Sequence, residues 1–161
     1  MRVLYQDTCR PPAEVEQELA AEYRDLEDLL RESDFVSLHT NLTAQTRHLI
    51  NAERLAMMKS TAVLVNTSRG PVIAEKALAQ ALQEGQISAV GLDVFEHEPA
   101  VHLSLLTCDN AVLIPHLGSA TVETRLAMTN LAVDNLFAGL EDARPPTLLN
   151  PEAWKQKAPR A

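Results

Sequence analysis

Three side chains that could act on a small anionic molecule stand shortly after apolar segments: Arg69, Glu98 and His116. A guanidinium can hold a carboxylate and an adjacent carbonyl oxygen through paired hydrogen bonds. A histidine can act as a general acid near neutral pH, and a carboxylate that accepts its hydrogen bond favours the protonated ring. Taken singly, Arg69 is better explained as a surface salt bridge and His116 as an imidazole tied to the backbone, and a turn carboxylate before proline such as Glu98 is commonplace.

Two aspartates also stand where a ligand could use them. Asp93 lies inside an apolar segment, where a carboxylate is costly unless a buried backbone amide or a ligand amide pairs with it. Asp7 follows the first apolar segment, where an acid can accept both hydroxyls of a cofactor ribose. A solvated loop carboxylate explains Asp7 equally well.

The elements that must position these residues alternate in type along the chain. Short apolar segments predict strands at residues 3–5, 35–38, 62–65, 89–92 and 111–114. Helical patterns and capping residues predict helices at 13–23, 25–30, 51–58, 74–84 and 121–140. This alternation predicts one parallel sheet covered on both faces, a doubly wound, Rossmann-like α/β fold with a long C-terminal helix.

Ligands of doubly wound sheets bind at the carboxyl ends of the strands. Polar residues collect after every predicted strand, at position 7 and in segments 39–40, 66–70, 93–98 and 116–119. Packing alone does not account for polar groups at all five strand ends. The sequence therefore predicts a functional cleft along this edge of the sheet.

Composition excludes several classes of function. The chain has 161 residues and a formal net charge of −8, so its surface repels nucleic-acid phosphates. Cys9 and Cys108 match no metal or redox spacing, and we expect reduced thiols in a cytoplasmic protein with no metal site. No apolar run approaches the length of a membrane span, and the N-terminus runs into a strand without a leader pattern.

Four motifs together resemble one family. They are SDFVSLHT at 33–40, VNTSRG at 65–70, GLDVF at 91–95 followed by Glu98-Pro99, and PHLGSAT at 115–121. From Val3 to Asn150 the chain resembles the NAD-binding region of the D-isomer-specific 2-hydroxyacid dehydrogenases. The ending LLNPE at 148–152 is similar to the glyoxylate and hydroxypyruvate reductase branch.

The resemblance implies a role for each strand-end residue. Arg69 would bind the carboxylate and keto oxygen of a 2-oxoacid, His116 would donate the proton, and Glu98 would keep His116 protonated. Asp93 would orient the nicotinamide amide of the cofactor. Formate dehydrogenases share the fold but pair the histidine with a glutamine, so Glu98 argues against that branch. The residues implied to line the cofactor are Asp7, Thr40, Thr67, Ser68, Arg69, Asp93, His116, Gly118 and Ser119.

The sequence departs from the family at the phosphate-binding loop. None of its five glycines forms a Gly-x-Gly-x-x-Gly motif, and the chain begins at what resembles the second strand of the fold. A truncated gene, a misassigned start at Met1 and a split chain each explain this departure. We expect unpaired strand edges, weak cofactor binding and little activity from this chain alone. Ala74 also stands where relatives often have an aspartate that caps a helix, a loss of about 1 kcal/mol.

The resemblance also implies domains, cofactor and partners. We expect a partial dinucleotide-binding domain at 1–118, a helix and return segment packing toward a substrate domain at 119–150, and a polar tail at 151–161. The cofactor is NAD or NADP, with NAD favoured because Asp7 repels the extra phosphate of NADP, although Arg10 could offset it. A homodimer is expected. The function implied is that of an oxidoreductase that reduces glyoxylate, hydroxypyruvate or a similar 2-oxoacid with NAD(P)H, and the alternatives are a non-catalytic interaction module or a non-functional fragment.

Overall fold

The computed structural model describes residues 1–155, which form six strands and six α-helices. The strands are β1 (Val3–Tyr5), β2 (Ala21–Tyr23), β3 (Phe35–Leu38), β4 (Val63–Asn66), β5 (Ala89–Leu92) and β6 (Ala111–Leu113). The helices are α1 (Ala13–Leu19), α2 (Leu26–Glu32), α3 (Ala52–Leu55), α4 (Glu75–Gln83), α5 (Val122–Leu140) and α6 (Pro151–Lys155). Short 3₁₀ turns occupy Gly70–Val72 and Leu103–Thr107.

All strand pairs are parallel, and helices alternate with strands, so the predicted Rossmann-like α/β fold is confirmed. The prediction of one sheet is wrong, because the six strands form two separate sheets. Four strands form one sheet in the order β3-β4-β5-β6, and β1 pairs with β2 in a separate sheet. Within residues 1–155, β1 and β3 are each paired on one side only. At the open edge of β3, Phe35 is 72 % exposed.

The predicted helix at 13–23 is wrong in its second half. The helix ends at Leu19, Ala20 adopts a left-handed conformation with φ 48°, and Ala21–Tyr23 forms β2. Pairing with β1 and an edge-on contact between the rings of Tyr5 and Tyr23 (5.6 Å) outweigh the helix propensity of this Ala- and Glu-rich segment.

Burial is concentrated around the four-stranded sheet. Leu64, Val90 and Leu92 on the central strands are buried, together with Leu30 of α2 and Leu78 of α4. Residues 1–29 contain no buried side chain. The β3–β6 sheet therefore rests on a hydrophobic core, and the β1–β2 sheet lies outside it.

Asp25 and Asn51 stand at the starts of the predicted helices 25–30 and 51–58, where each is expected to cap its helix. The Asn51 side chain accepts the Arg54 N–H at the start of α3, as predicted, although α3 ends at Leu55 rather than near residue 58. Asp25 makes no side-chain cap to α2. The long C-terminal helix α5 is capped by Thr121, whose hydroxyl accepts the Thr124 N–H.

The chain divides into two compact units, Met1–His116 and Leu117–Ala161. In the second unit, Asn135 of α5 exchanges hydrogen bonds with Thr147. No residue of α5 is buried, and its exposed apolar side chains include Leu126, Leu136 and Phe137. The predicted polar tail begins with α6, and its remaining residues, 156–161, lie outside the described part of the chain. Among the described residues, no helix has the length and apolar character needed to cross a bilayer.

Candidate active site

A cavity of about 450 Å³ lies where β3 and β4 end. Its walls are the loops that follow these two strands, which is where a parallel sheet places its ligands. The lining residues are His39, Thr40, Asn41, Leu42, Thr67, Ser68 and Arg69. Four predicted site residues, Thr40, Thr67, Ser68 and Arg69, therefore share one cavity.

Asn66 shapes the loop that carries Arg69. This last residue of β4 is fully buried, and its Oδ1 accepts hydrogen bonds from the Ser68 N–H (3.0 Å) and hydroxyl (2.8 Å). Its Nδ2 donates to the Arg69 carbonyl oxygen (3.0 Å). These bonds satisfy a buried amide and bend the chain sharply after β4, so that Arg69 reaches the cavity wall.

The loop of Arg69 packs directly on the segment that precedes Glu98. A Cβ atom added to Gly70 would lie 1.9 Å from the carbonyl carbon and oxygen of Phe95, so only glycine allows this approach. The Arg69 side chain is exposed, and its Nη1 donates to the Ser68 carbonyl oxygen (2.6 Å). The backbone contact at Gly70 thus couples the arginine loop to the glutamate loop.

Glu98 and His116 form the pair that the sequence predicted. His116 Nδ1 lies 3.0 Å from Glu98 Oε2, and Glu98 Oε1 accepts the Phe95 N–H at 3.0 Å. The hydrogen bond from His116, followed by that from Phe95, holds the pKa of Glu98 below its usual range, and the positive charge of Arg69 adds to the effect. Glu98 is therefore ionised at neutral pH, and Arg69 lies within electrostatic reach of it.

The two aspartates have different environments. Asp93 is 3 % exposed at the end of β5, and its N–H donates to the Asn66 carbonyl oxygen (3.0 Å) beside the arginine loop. Asp7 is exposed in the loop after β1, where its Oδ1 accepts the Cys9 N–H (3.0 Å). That backbone hydrogen bond lowers the pKa of Asp7, so its carboxylate is ionised.

Gly118 and Ser119, the remaining predicted cofactor residues, belong to the second compact unit and are exposed there. Their role stays a prediction. No group of three or more His, Cys, Asp or Glu residues suited to a metal ion occurs within residues 1–155.

Sequence reasoning missed Asn66 and His39 as individual site residues. Asn66 organises the arginine loop, and a buried polar side chain at the end of an apolar strand was the available signal. His39 lines the cavity, and its Nε2 lies 2.8 Å from the Ser37 hydroxyl. Its only signal in the sequence was its position after β3.

A parallel α/β sheet with this cleft at its strand ends defines the dinucleotide-binding class of domains. Within that class, the chain belongs to the family described as D-isomer specific 2-hydroxyacid dehydrogenase, NAD binding domain, whose family model matches residues 1–118. The resemblance predicted from the four motifs is therefore confirmed.

Glyoxylate reductases are among the chain's relatives. That of Pyrococcus furiosus is 52 % identical over 159 residues, which are 99 % of this chain and 47 % of the relative. The crystal structure of a glyoxylate reductase from Paecilomyes thermophila superposes with a TM-score of 0.82 at 41 % identity, covering 94 % of this chain and 46 % of that one. The D-lactate dehydrogenase of Lactobacillus jensenii, solved with NAD⁺, has a TM-score of 0.81 at 28 % identity, covering 92 % of this chain and 48 % of that one.

The chain spans about half the length of these relatives. Its own residues fit one part of a dinucleotide cofactor. The cavity walls offer the hydroxyls of Thr40 and Thr67 and the guanidinium of Arg69, and Asp7 offers a carboxylate after β1. The 161 residues contain no glycine-rich loop that could bind the pyrophosphate group of the cofactor.

Proposed function

We propose that this chain supplies the catalytic residues of an NAD(P)-dependent reductase that converts glyoxylate, hydroxypyruvate or a similar 2-oxoacid to its 2-hydroxy acid. The observation that carries the proposal is the hydrogen bond between Glu98 and His116, with the charge of Arg69 acting on the same carboxylate. The glyoxylate reductases among the relatives support the substrate class.

Reduction of a carbonyl group builds negative charge on its oxygen, which a nearby cation and a positioned acid stabilise. Arg69 binds the substrate carboxylate and the keto oxygen, which sets the carbonyl carbon in place. His116 holds its Nδ1 proton toward Glu98, so Nε2 is the nitrogen that gives a proton to the keto oxygen. Ionised Glu98 fixes this ring orientation by accepting the hydrogen bond from Nδ1. The nicotinamide, when bound, supplies the hydride.

We further propose that the cofactor is NAD rather than NADP. The ionised carboxylate of Asp7 favours ribose hydroxyls over a phosphate in the loop after β1. Arg10 could offset this preference, but its Nε and Nη2 donate to the two carboxylate oxygens of Glu16 (2.7 and 3.0 Å). Its guanidinium also lies over the ring of Tyr23, 5.4 Å from the centroid. The charge of Arg10 is therefore already balanced.

Residues 119–150 are proposed to pack toward the substrate domain of a complete enzyme, and the protein to act as a cytoplasmic homodimer. The exposed apolar side chains of α5, such as Leu126, Leu136 and Phe137, support a packing role for this helix. The net charge of −8 disfavours nucleic acid as a partner, and a small anionic substrate would bind at the local cation Arg69. Sedimentation velocity of the chain distinguishes a dimer from a monomer.

Substrate binding tests the proposal first, because we expect little turnover from a chain with no glycine-rich loop of its own. Glyoxylate titrated into the labelled chain should shift the NMR signals of His116. Arg69→Ala should weaken the apparent Kd roughly tenfold or more, since it removes charged hydrogen bonds. Arg31→Ala, which removes an exposed arginine of α2, should leave it unchanged. Equal binding by wild type and Arg69→Ala would contradict the proposal.

Turnover tests the role of His116. In a version of the enzyme extended to the full length of its relatives, NADH oxidation with glyoxylate should fall by about 10²–10⁴-fold in His116→Ala, the usual contribution of a general acid. Oxidation that persists at the wild-type rate in this variant would show that another group donates the proton.

A further inference from the structure

A second group of charged side chains lies beside the arginine loop and the glutamate loop. Glu75, the first residue of α4, is 4 % exposed, and the side chain of Glu96 is 13 % exposed. Arg47 and His48 reach Glu96 from the loop after β3. Two carboxylates that lie this far from solvent require specific partners, and the mechanism above uses neither of them.

Glu75 and Glu96 satisfy each other through an exchange of backbone hydrogen bonds. The Glu96 N–H donates to the Glu75 carboxylate, and the Glu75 N–H donates to Glu96 Oε2 at 3.4 Å. The N-cap residue of α4, Ala74, offers no side-chain acceptor. The Glu96 carboxylate therefore replaces that cap from outside the helix and lies at its positive end.

His48 and Arg47 hold the other oxygen of the same carboxylate. His48 Nε2 lies 2.6 Å and Arg47 Nη2 lies 3.2 Å from Glu96 Oε1. The His48 N–H also donates to the Pro71 carbonyl oxygen (2.8 Å), just after Gly70. Glu96 is thus bonded to the loop after β3 and to the start of α4, and His48 ties that loop to the turn that follows Arg69.

These bonds hold the chain segment that orients Glu98. On one side, the Phe95–Glu96 peptide lies against Gly70, where a Cβ would not fit. On the other side, Glu75 receives the Glu96 N–H and the His102 N–H (3.3 Å). Phe95, at the centre of this arrangement, donates its own N–H to Glu98 Oε1.

We propose that Glu96 is a positioning residue for the Glu98–His116 pair: by binding His48, Arg47 and the N-terminus of α4, it fixes the 95–98 segment so that Glu98 faces His116. Glu96 does not touch the reacting groups and acts through the backbone of Phe95. The inference rests on the proposed function for its catalytic meaning, but the geometry of the pair can be measured without turnover.

Electrostatics favour the ionised form of Glu96 that this role requires. Burial raises the pKa of Glu96, but the hydrogen bond from His48 and its charge outweigh burial and leave the pKa below its usual range. The charged and titratable groups that face it are His48 and Arg47 from the loop after β3, Glu75 from α4, and His97 from its own segment. Glu96 therefore stays an acceptor at neutral pH.

The test follows the pKa of Glu98 by carboxyl ¹³C NMR in the 161-residue chain. Glu96→Ala should raise this pKa by about one unit, because Glu98 loses its alignment with His116 and with the Phe95 N–H. Glu84→Ala, at the other end of α4, should leave it unchanged. His48→Ala should raise it, and His48→Gln should restore it in part, because the amide still donates to Glu96.

Glu96→Gln serves as a second variant if the alanine variant does not fold. Its amide oxygen still accepts from Glu75, so the fold is kept, and the pKa of Glu98 should rise by less than in Glu96→Ala. A folded Glu96→Ala chain whose Glu98 keeps the wild-type pKa would overturn the inference, even if the enzyme proves active. Loss of glyoxylate binding in Arg69→Ala bears on the proposed function alone, so the two can fail separately.

Discussion

The two sheets of this chain are held together in opposite ways. The β3–β6 sheet has a hydrophobic core, and it carries the arginine and glutamate loops that meet at Gly70. The β1–β2 sheet has no buried side chain and is surrounded by surface ion pairs. These ion pairs join Arg2, Arg10 and Arg24 to Glu16, Glu22 and Glu32.

The difference separates two parts of one function. Packing sets the geometry of the groups proposed to act on the substrate, and such geometry changes little with solvent conditions. Ion pairs hold together the region proposed to meet the adenosine end of the cofactor, and exposed ion pairs respond to pH and salt. Three measurements test this difference between the two sheets.

The largest effect should come from the core. Leu64→Ala, at a fully buried position of β4, should lower the free energy of unfolding by about 2–5 kcal/mol. Leu4→Ala, at a half-buried position of β1, should lower it by about 1 kcal/mol or less. Urea unfolding of both variants measures the difference. Equal losses would mean that the β1–β2 sheet belongs to the same core.

Acid should loosen the β1–β2 sheet before the β3–β6 sheet. The hydrogen bond from Arg2 lowers the pKa of Glu22 from 4.5 to about 2, and Arg10 likewise lowers that of Glu16. A carboxyl group with a lowered pKa in the folded state stabilises the fold above pH 4.5, and this stabilisation is lost as the pH falls toward 2.

Amide-exchange protection factors measured between pH 5 and 2 (roughly the interval over which paired carboxylates are protonated) check this prediction. Protection should fall at Leu4 and Glu22 and persist at Leu64 and Val90. Parallel loss at all four positions would contradict a separate electrostatic region. High salt at neutral pH should have a weaker effect of the same kind.

The smallest effect concerns the choice of cofactor. Glu16→Ala frees the guanidinium of Arg10, which should then bind a 2′-phosphate. The affinity for 2′,5′-ADP relative to 5′-ADP should rise roughly three- to fivefold, as expected for a single exposed charge. Glu14→Ala, an exposed residue of the same helix, is the matched control. An unchanged ratio would show that Arg10 does not affect the choice between NAD and NADP.

The sequence correctly predicted those elements whose local sequence pattern matches their surroundings in the folded structure. Residues 35–38 and 89–92 are strands in the structure, as their apolar sequences predicted. Arg69, Glu98 and His116 lie in the segments that follow β4, β5 and β6, as expected. β2 was missed because Ala21–Tyr23 is strand only through its pairing with β1. The Glu75–Glu96 exchange was missed for a similar reason, since two glutamates 21 residues apart give no local signal.

His116 adopts a left-handed backbone conformation, with φ 53°, which costs a residue with a side chain about 1–2 kcal/mol. Glycine would accept the same conformation without that cost. A lineage selected only for a durable fold would therefore drift toward glycine at this position. If His116 is the proton donor proposed above, the molecule gives up stability for chemistry at this position, and a descendant that lost the chemistry would have a thermodynamic reason to lose the histidine as well.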